Sequence, residues 1–223
     1  TGAAVGRILE IIRQIDPSIR YFQPCTSNMF GKTESTLQTE TTPFNPQSPY
    51  ACAKVMAYYL TRYYREAFGM FASTAILYNH ESPRRTEEYV TRKITKSVAR
   101  IVCGKQDKLI LGDLSARVDW GYAKEYMEAA WQMLQLEESD DFIIATGEAH
   151  SVEEFVEEAF AVVNLSPEEY VVSSQDLFRP TKTGVLVGDT SKARTSFGFE
   201  PKVKFKELVK LMVETDLQAE KQT

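Results

Sequence analysis

The sequence predicts an α/β fold with parallel strands, and three observations carry that prediction. Residues 19–27 and 71–78 are apolar runs of strand length that end in polar or hydroxyl side chains. Between them lies a helix-length stretch, 49–67, so the order is strand, helix, strand, the order of a parallel crossover unit. After further helical sequence, residues 141–147 repeat the buried-strand composition.

Taken in order, the chain opens on a helix whose stripe is Val5, Ile8, Leu9, Ile11 and Ile12, stopped by Asp16-Pro17. Gly2-Ala3-Ala4-Val5-Gly6 reads as helix packing, since a nucleotide loop needs a third glycine. Strand 19–27 alternates and finishes on Thr26-Ser27, as a strand does when its carboxyl end faces a ligand crevice. Residues 31–47 form a polar, turn-rich loop. Ser48 then caps the next helix, Pro49 suits its first turn, and Phe68-Gly69 ends it. Beyond Asn79-His80-Glu81-Ser82-Pro83-Arg84-Arg85 the pattern predicts a helix over 88–102, a short strand over 109–112 and a long amphipathic helix over 119–136. Ser151-Val152-Glu153-Glu154 is a capping box that opens another helix. The tail holds a short extended run at 184–188 and helices over 190–197 and 205–220. No internal repeat or low-complexity tract interrupts this order. It is the order of the second half of a Rossmann-type parallel sheet, with a small α-rich domain woven in behind it.

A net charge of −5 supplies no general basic field, so neither nucleic acid nor an anionic membrane is the expected partner. Three scattered cysteines, Cys25, Cys52 and Cys103, and only two histidines argue against a zinc site and a disulfide framework. With no run of membrane-spanning length and no charged-then-apolar leader, the expected location is the cytoplasm.

One spacing bears directly on chemistry. Tyr50 and Lys54 stand four residues apart on the helix after Ser48, so phenol and ammonium share one face. A cation beside a tyrosine lowers its pKa and suits it to acid/base work, although Tyr89-Val90-Thr91-Arg92-Lys93 repeats the spacing. An ordinary solvated helix face is the competing reading of both. Arg84, Arg85 and Lys93 are suitable pyrophosphate partners in an otherwise acidic chain, or else solvated charges. His80 reads either as a site residue or as a structural histidine, and His150, beside a helix cap, as a structural one.

Thr26-Ser27, Tyr50-x-x-x-Lys54, Ile76-Leu77-Tyr78-Asn79-His80-Glu81-Ser82-Pro83-Arg84-Arg85, Val90-Thr91-Arg92-Lys93, Asp119-Trp120-Gly121, Ile144-Ala145-Thr146-Gly147-Glu148 and Phe178-Arg179-Pro180 together carry a resemblance. The chain resembles the GDP-mannose 4,6-dehydratase family, within the extended short-chain dehydrogenases/reductases, over essentially its whole length. That resemblance implies an internal redox cycle on a nucleotide sugar. Tyr50 would take the C4 hydroxyl proton while NADP accepts the hydride; water would leave across C5 and C6, and the hydride would return to C6. Lys54 would lower the Tyr50 pKa and hold the nicotinamide ribose, and Thr26 would hydrogen-bond the reacting oxygen. By the same resemblance His80 and Arg85 contact NADP, while Ser27, Asn79, Lys93 and Arg179 hold the GDP-mannose-like substrate. It further implies a dimer or tetramer of like subunits. Residues 1–80 become a partial NAD(P)-binding domain returning at about 119–147, and 81–118 with 148–223 an interwoven sugar-nucleotide-binding domain.

The sequence also departs from the family. The glycine-rich pyrophosphate turn is found nowhere in these 223 residues, so the chain is expected to be a piece of a longer domain. The family's Thr-Ser-Glu reads Thr26-Ser27-Asn28, and an amide neither gives nor takes the proton that elimination requires. Val118 replaces an arginine that is a phosphate ligand in the family, Lys182 replaces the acidic residue that would grip the ribose, and Gly184 replaces an aspartate. Three readings therefore stay open: a dehydratase, a nucleotide-sugar 4-keto reductase or epimerase, and a non-catalytic paralogue assembling with dehydratase subunits.

Overall fold

The structure, a computed structural model, describes residues 2–177 and 184–222. The chain begins with α1 (Gly2–Ile15), β1 (Tyr21–Thr26), the two-residue β2 (Leu37–Gln38), α2 (Pro49–Phe68), β3 (Ala72–Leu77) and β4 (Asn79–Glu81). It continues through α3 (Val90–Val102), β5 (Leu109–Leu111), β6 (Arg117–Val118), β7 (Trp120–Tyr122), α4 (Ala123–Met133) and β8 (Asp141–Ile144). The last elements are β9 (His150–Ser151), α5 (Val152–Ala161), β10 (Val171–Ser173), β11 (Val187–Gly188), α6 (Ser191–Phe197) and α7 (Phe205–Gln222).

β1, β3 and β8 form a parallel sheet in that order, the α/β arrangement expected. Thr26 pairs with Leu77 and Leu77 with Ile144, so the three carboxyl ends lie level. Every residue of β3 is buried, as a strand covered on both faces must be. The crossover helix α2 has the predicted cap: Ser48 Oγ accepts the Ala51 N–H at 3.1 Å, and Gly69 closes the helix at φ 62°. Two side chains tie α2 to β8. Tyr58 donates to Asp141 at 2.9 Å, and the Arg65 fork takes both oxygens of the same carboxylate at 2.8 and 2.9 Å.

Side chains occupy the outer edges of this sheet. On β8, the Ile143 N–H donates to Glu40 at 2.9 Å, and Lys192 donates to the Asp141 carbonyl at 2.9 Å. On β1, the Tyr21 N–H donates to the carbonyl of Phe71, the residue just before β3. Alternation therefore turns Pro24 to the far edge, where it has no N–H and its carbonyl accepts from Lys54 at 2.7 Å. The loop after β1 turns sharply at Gly31, φ 55°, where a Cβ would lie 1.8 Å from the Asn45 carbonyl.

A second core lies beside the sheet. Ile94 and Val98 of α3, Phe155 of α5, and Leu208 and Met212 of α7 close around Leu109 and Trp120. β5 pairs with β10, and β6 with β9. The helix expected over 119–136 starts later than the pattern suggests, because Trp120–Tyr122 pair with Asn79–Glu81 as β7. Asp119 explains the switch. Its buried carboxylate accepts from the Thr146 N–H at 2.9 Å, the Thr146 hydroxyl at 2.7 Å and the Gly147 N–H at 3.1 Å. That fixes the residues after β8 against those before β7. The capping box is half formed: Ser151 Oγ accepts the Glu154 N–H at 2.9 Å, but the Glu154 carboxylate binds Arg117 and His150 instead.

Gly121 marks the tightest point of this seam, since a Cβ there would lie 2.3 Å from Cε2 of the fully buried Tyr126. Gly121→Ala should therefore destabilise the fold by about 1–3 kcal/mol through overpacking, read as a lowered urea midpoint at unchanged m. A midpoint equal to that of the parent would show that the seam relaxes freely.

Candidate active site

Tyr50 sits in the first turn of α2, at the level carboxyl ends of the sheet, and its side chain is 51% exposed. The Thr26 hydroxyl and the Arg85 guanidinium both favour its ionised form, but burial outweighs them and the Tyr50 phenol stands above its ordinary value. Lys54 lies one turn along, with its ammonium 5.7 Å from the Tyr50 ring centre. The two share a helix face as the spacing requires. The ammonium, however, is hydrogen-bonded to the Pro24 carbonyl, and the phenol is not acidified in this geometry.

Thr26 also caps a short 3-10 turn, Ser27–Met29, by accepting the Asn28 N–H at 3.3 Å. This turn buries Ser27 and leaves Asn28 exposed on the same rim as Tyr50. The site loop begins where β3 ends. Tyr78 alone separates β3 from β4, so Asn79 and His80 leave the sheet edge directly, Asn79 exposed and His80 half-buried. His80 Nδ1 donates to the Tyr78 carbonyl at 2.8 Å, and the ring stacks on Tyr126 at 5.1 Å. Burial pushes its pKa below the ordinary value, which keeps the ring neutral with Nε2 as an acceptor.

Glu81, fully inside, accepts from the Thr91 hydroxyl at 2.7 Å and faces Arg85 Nε at 3.3 Å; burial raises its pKa. Arg85 Cζ lies over the Tyr89 ring, 3.5 Å from its centre. Thr26, Tyr50, Lys54 and Arg85 thus gather on one rim. Lys93 is directed elsewhere and donates to the Ile110 carbonyl of β5 at 2.6 Å. Arg179, with Lys182, falls outside the described residues.

One departure gains a physical explanation. Val118 packs against the second core, so an apolar side chain fits there. Arg117 does not take its place: successive strand residues face opposite ways, and Arg117 is engaged by Glu154 at 2.7 Å and the Ala149 carbonyl at 2.6 Å. Three residues that matter locally escaped the sequence reading. Tyr89, set aside as a duplicate of the Tyr-x-x-x-Lys spacing, is the platform for Arg85, and Glu81 and Arg92 are buried ionisable groups beneath the same loop. Their signal was the density of charge in residues 81–93, which spacing could not sort.

A level parallel sheet, a tyrosine and lysine on the crossover helix, and a hydroxyl at the preceding strand end are arranged as in the Rossmann-type fold of the short-chain dehydrogenases/reductases. The RMD protein of Pseudomonas aeruginosa, solved with NADPH, superposes with a TM-score of 0.87 at 17% identity, over 96% of this chain and 72% of that one. A dTDP-glucose 4,6-dehydratase from Bacillus anthracis, solved with NAD, gives 0.83 at 20% identity, over 97% and 67%. At such identities these two structures speak for the fold alone. The sequence model of the GDP-mannose 4,6 dehydratase family matches residues 1–212, and the chain belongs to that family. GDP-mannose 4,6 dehydratase 2 of Arabidopsis thaliana is 49% identical over 99% of this chain and 60% of its own length. The Homo sapiens GDP-mannose 4,6 dehydratase is 41% identical over 97% and 63%. The chain therefore spans less than two thirds of these curated relatives.

The neutral, Nδ1-protonated state of His80 is open to direct observation. In ¹⁵N NMR its ring should titrate below 6.5, with the Nε2-bare tautomer above the midpoint. The sign follows from burial disfavouring the imidazolium, so stability contributed by the neutral ring is present above the unfolded value and lost on acidification. A midpoint above 6.5 would contradict the geometry.

Proposed function

We propose that this chain is the tyrosine-bearing and nucleotide-sugar portion of a GDP-mannose 4,6-dehydratase, acting on GDP-mannose with NADP as its redox partner. The observation that carries the reading is the half-exposed Tyr50 phenol, faced by Thr26 and Arg85 at the carboxyl ends of a parallel sheet. Tyr50 takes the proton from the sugar C4 hydroxyl, and Thr26 orients that oxygen. Ligand binding that drew Lys54 off the Pro24 carbonyl would bring an ammonium to bear on the phenol and lower its pKa. Ser27, Asn79 and Arg179 are assigned to the nucleotide sugar, and Lys93 would join them only on leaving the Ile110 carbonyl.

The residues fit the nicotinamide-ribose end of NADP. Neutral His80 offers an acceptor, Arg85 a guanidinium and Lys54 an ammonium beside the Tyr50 hydroxyl. The bound nicotinamide supplies a hydride acceptor and donor. Its pyrophosphate needs the N–H groups of a glycine-rich turn, which we assign to sequence beyond these 223 residues. A sheet domain of 1–80 with about 119–147 and an interwoven substrate domain of 81–118 with 148–223 is the division we propose, with the two interlocked, since Leu186, Ala193 and Phe199 pack in the sheet's core and Trp120 in the second.

Asn28 supports a second reading. Hydride transfer alone, as in a 4-keto reductase or epimerase, uses Tyr50 and Lys54 without an acid at position 28, whereas elimination needs one. The third reading, a non-catalytic partner of dehydratase subunits, draws on Val118. Assembly of like subunits is supported by the outer faces of α1 and α2. Ile8, Ile11 and Ile15 (77% exposed) and Met56 and Tyr63 lie open there, and a groove of about 520 Å³ runs between the helices. No helix among the described residues is long and apolar enough to cross a membrane, and all three cysteines are free; we place the protein in the cytoplasm.

Calorimetric titration of the chain with GDP-mannose and with NADPH tests the reading. Saturable binding of GDP-mannose is expected, and its absence would overturn the substrate assignment. In a preparation extended to the full length of its relatives, Tyr50→Phe should lower turnover by about 10²–10⁴-fold. There Asn28→Glu should raise formation of the 4-keto-6-deoxy product by a comparable factor. If the product formed by the Asn28→Glu protein kept its C6 oxygen, the reductase or epimerase reading would prevail.

A further inference from the structure

Residues Ser82 to Arg85 form a reverse turn closed by the Arg85 N–H donating to the Ser82 carbonyl at 3.0 Å, with Pro83 at the first central position. The peptide between Pro83 and Arg84 is the unit whose flip separates type I from type II turns, and it decides where the two following side chains point. Both of its ends are held. The Arg84 N–H donates to Ser82 Oγ at 3.2 Å, and the Pro83 carbonyl accepts from Arg92 Nη1.

Arg92 is fixed in turn from the far end of the chain. Its Nη2 lies 2.7 Å from Asp216 Oδ1 of α7, and Asp216 Oδ2 accepts from the Thr95 hydroxyl at 2.7 Å. Asp216 is completely buried, and the Arg92 side chain is 11% exposed. Burial raises the Asp216 pKa, while Arg92 and Lys96 oppose the rise. One turn further along α7, Glu220 meets Lys96, Arg100 and Lys105, and Glu87 closes the same array from the α3 side.

We propose that Asp216 and Arg92 are positioning residues through which the C-terminal helix α7 sets the Ser82–Arg85 turn, and with it the presentation of Arg84 and Arg85. A guanidinium fork divided between a buried carboxylate and one carbonyl holds that peptide in a single orientation, which neither contact achieves alone. Only the use of the arginines, toward an anionic cofactor, rests on the function proposed above; the anchoring does not.

Trypsin cleaves after Arg84 and after Arg85, so the turn reports its own mobility. The test follows cleavage there by mass spectrometry in the full chain, against cleavage at Lys210 of α7 as an internal reference. The double variant Arg92→Met, Asp216→Leu removes the pair whole and leaves no unpaired buried charge. It should be cut at the turn about tenfold faster than the parent, the factor expected for losing a charge-assisted hydrogen bond, with Lys210 cleavage and Tm nearly unchanged. Arg92→Lys keeps a charge for Asp216 but lacks the second arm, and should show the same selective increase if the double variant does not fold. Turn cleavage at the parental rate in the folded variant would overturn the proposal. An equal increase at the turn and at Lys210 would also overturn it, since it would show a general loss of stability. NADPH titrations on the same proteins separate the two readings: absent binding to the parent removes the cofactor assignment, while the cleavage rates decide the anchoring.

Discussion

One extended segment, Ala72 through Glu81, is the constraint on which both halves of the molecule depend. Its first part is the buried centre of the parallel sheet; its last part pairs with Trp120–Tyr122 at the margin of the second core. Tyr78, the residue between, is locked by its N–H on the Ile144 carbonyl at 2.9 Å and its hydroxyl on Gln38 at 2.9 Å. With so little free backbone between the cores, the orientation of one is transmitted to the other. Asn79 and His80 inherit their positions from packing, not from loop chemistry.

The same segment shows what was legible in the sequence. Caps and periodicity are local properties, so Ser48, Pro49 and Gly69 placed α2 within a residue of its ends, and the buried run 71–78 announced β3. The error at 119–136 arose where tertiary pairing overrode an amphipathic pattern. Asp119 and Gly121 carry the reasons, a carboxylate held by four donors and a glycine pressed on Tyr126, and neither can be seen in spacing. In the site, Tyr50, Lys54 and Thr26 could be picked out because an i,i+4 pair and a strand end are regular features. The role of Tyr89 could not, since it depends on Arg85 folding back over a ring four residues away in sequence.

Electrostatics divide along the same line. Proximity in sequence suggested that Lys54 governs Tyr50, whereas burial governs it here and Arg85 supplies the opposing charge. Desolvation depends on the whole envelope of atoms around a group, which sequence spacing does not encode. Val118 follows the same logic, for its neighbours in the second core favour an apolar side chain whatever the rim of the site requires.

The side chains on the outer side of β8 have a consequence for how the sheet avoids stray pairing. A bare sheet edge is a template for strand addition by any neighbouring chain. On β8 the outward donor at Ile143 is taken by Glu40 and the outward acceptor at Asp141 by Lys192. An opposing strand would have to displace a carboxylate and an ammonium group before it could pair there. Glu40 and Lys192 thereby guard this margin against aggregation, and a variant at either position would uncover it.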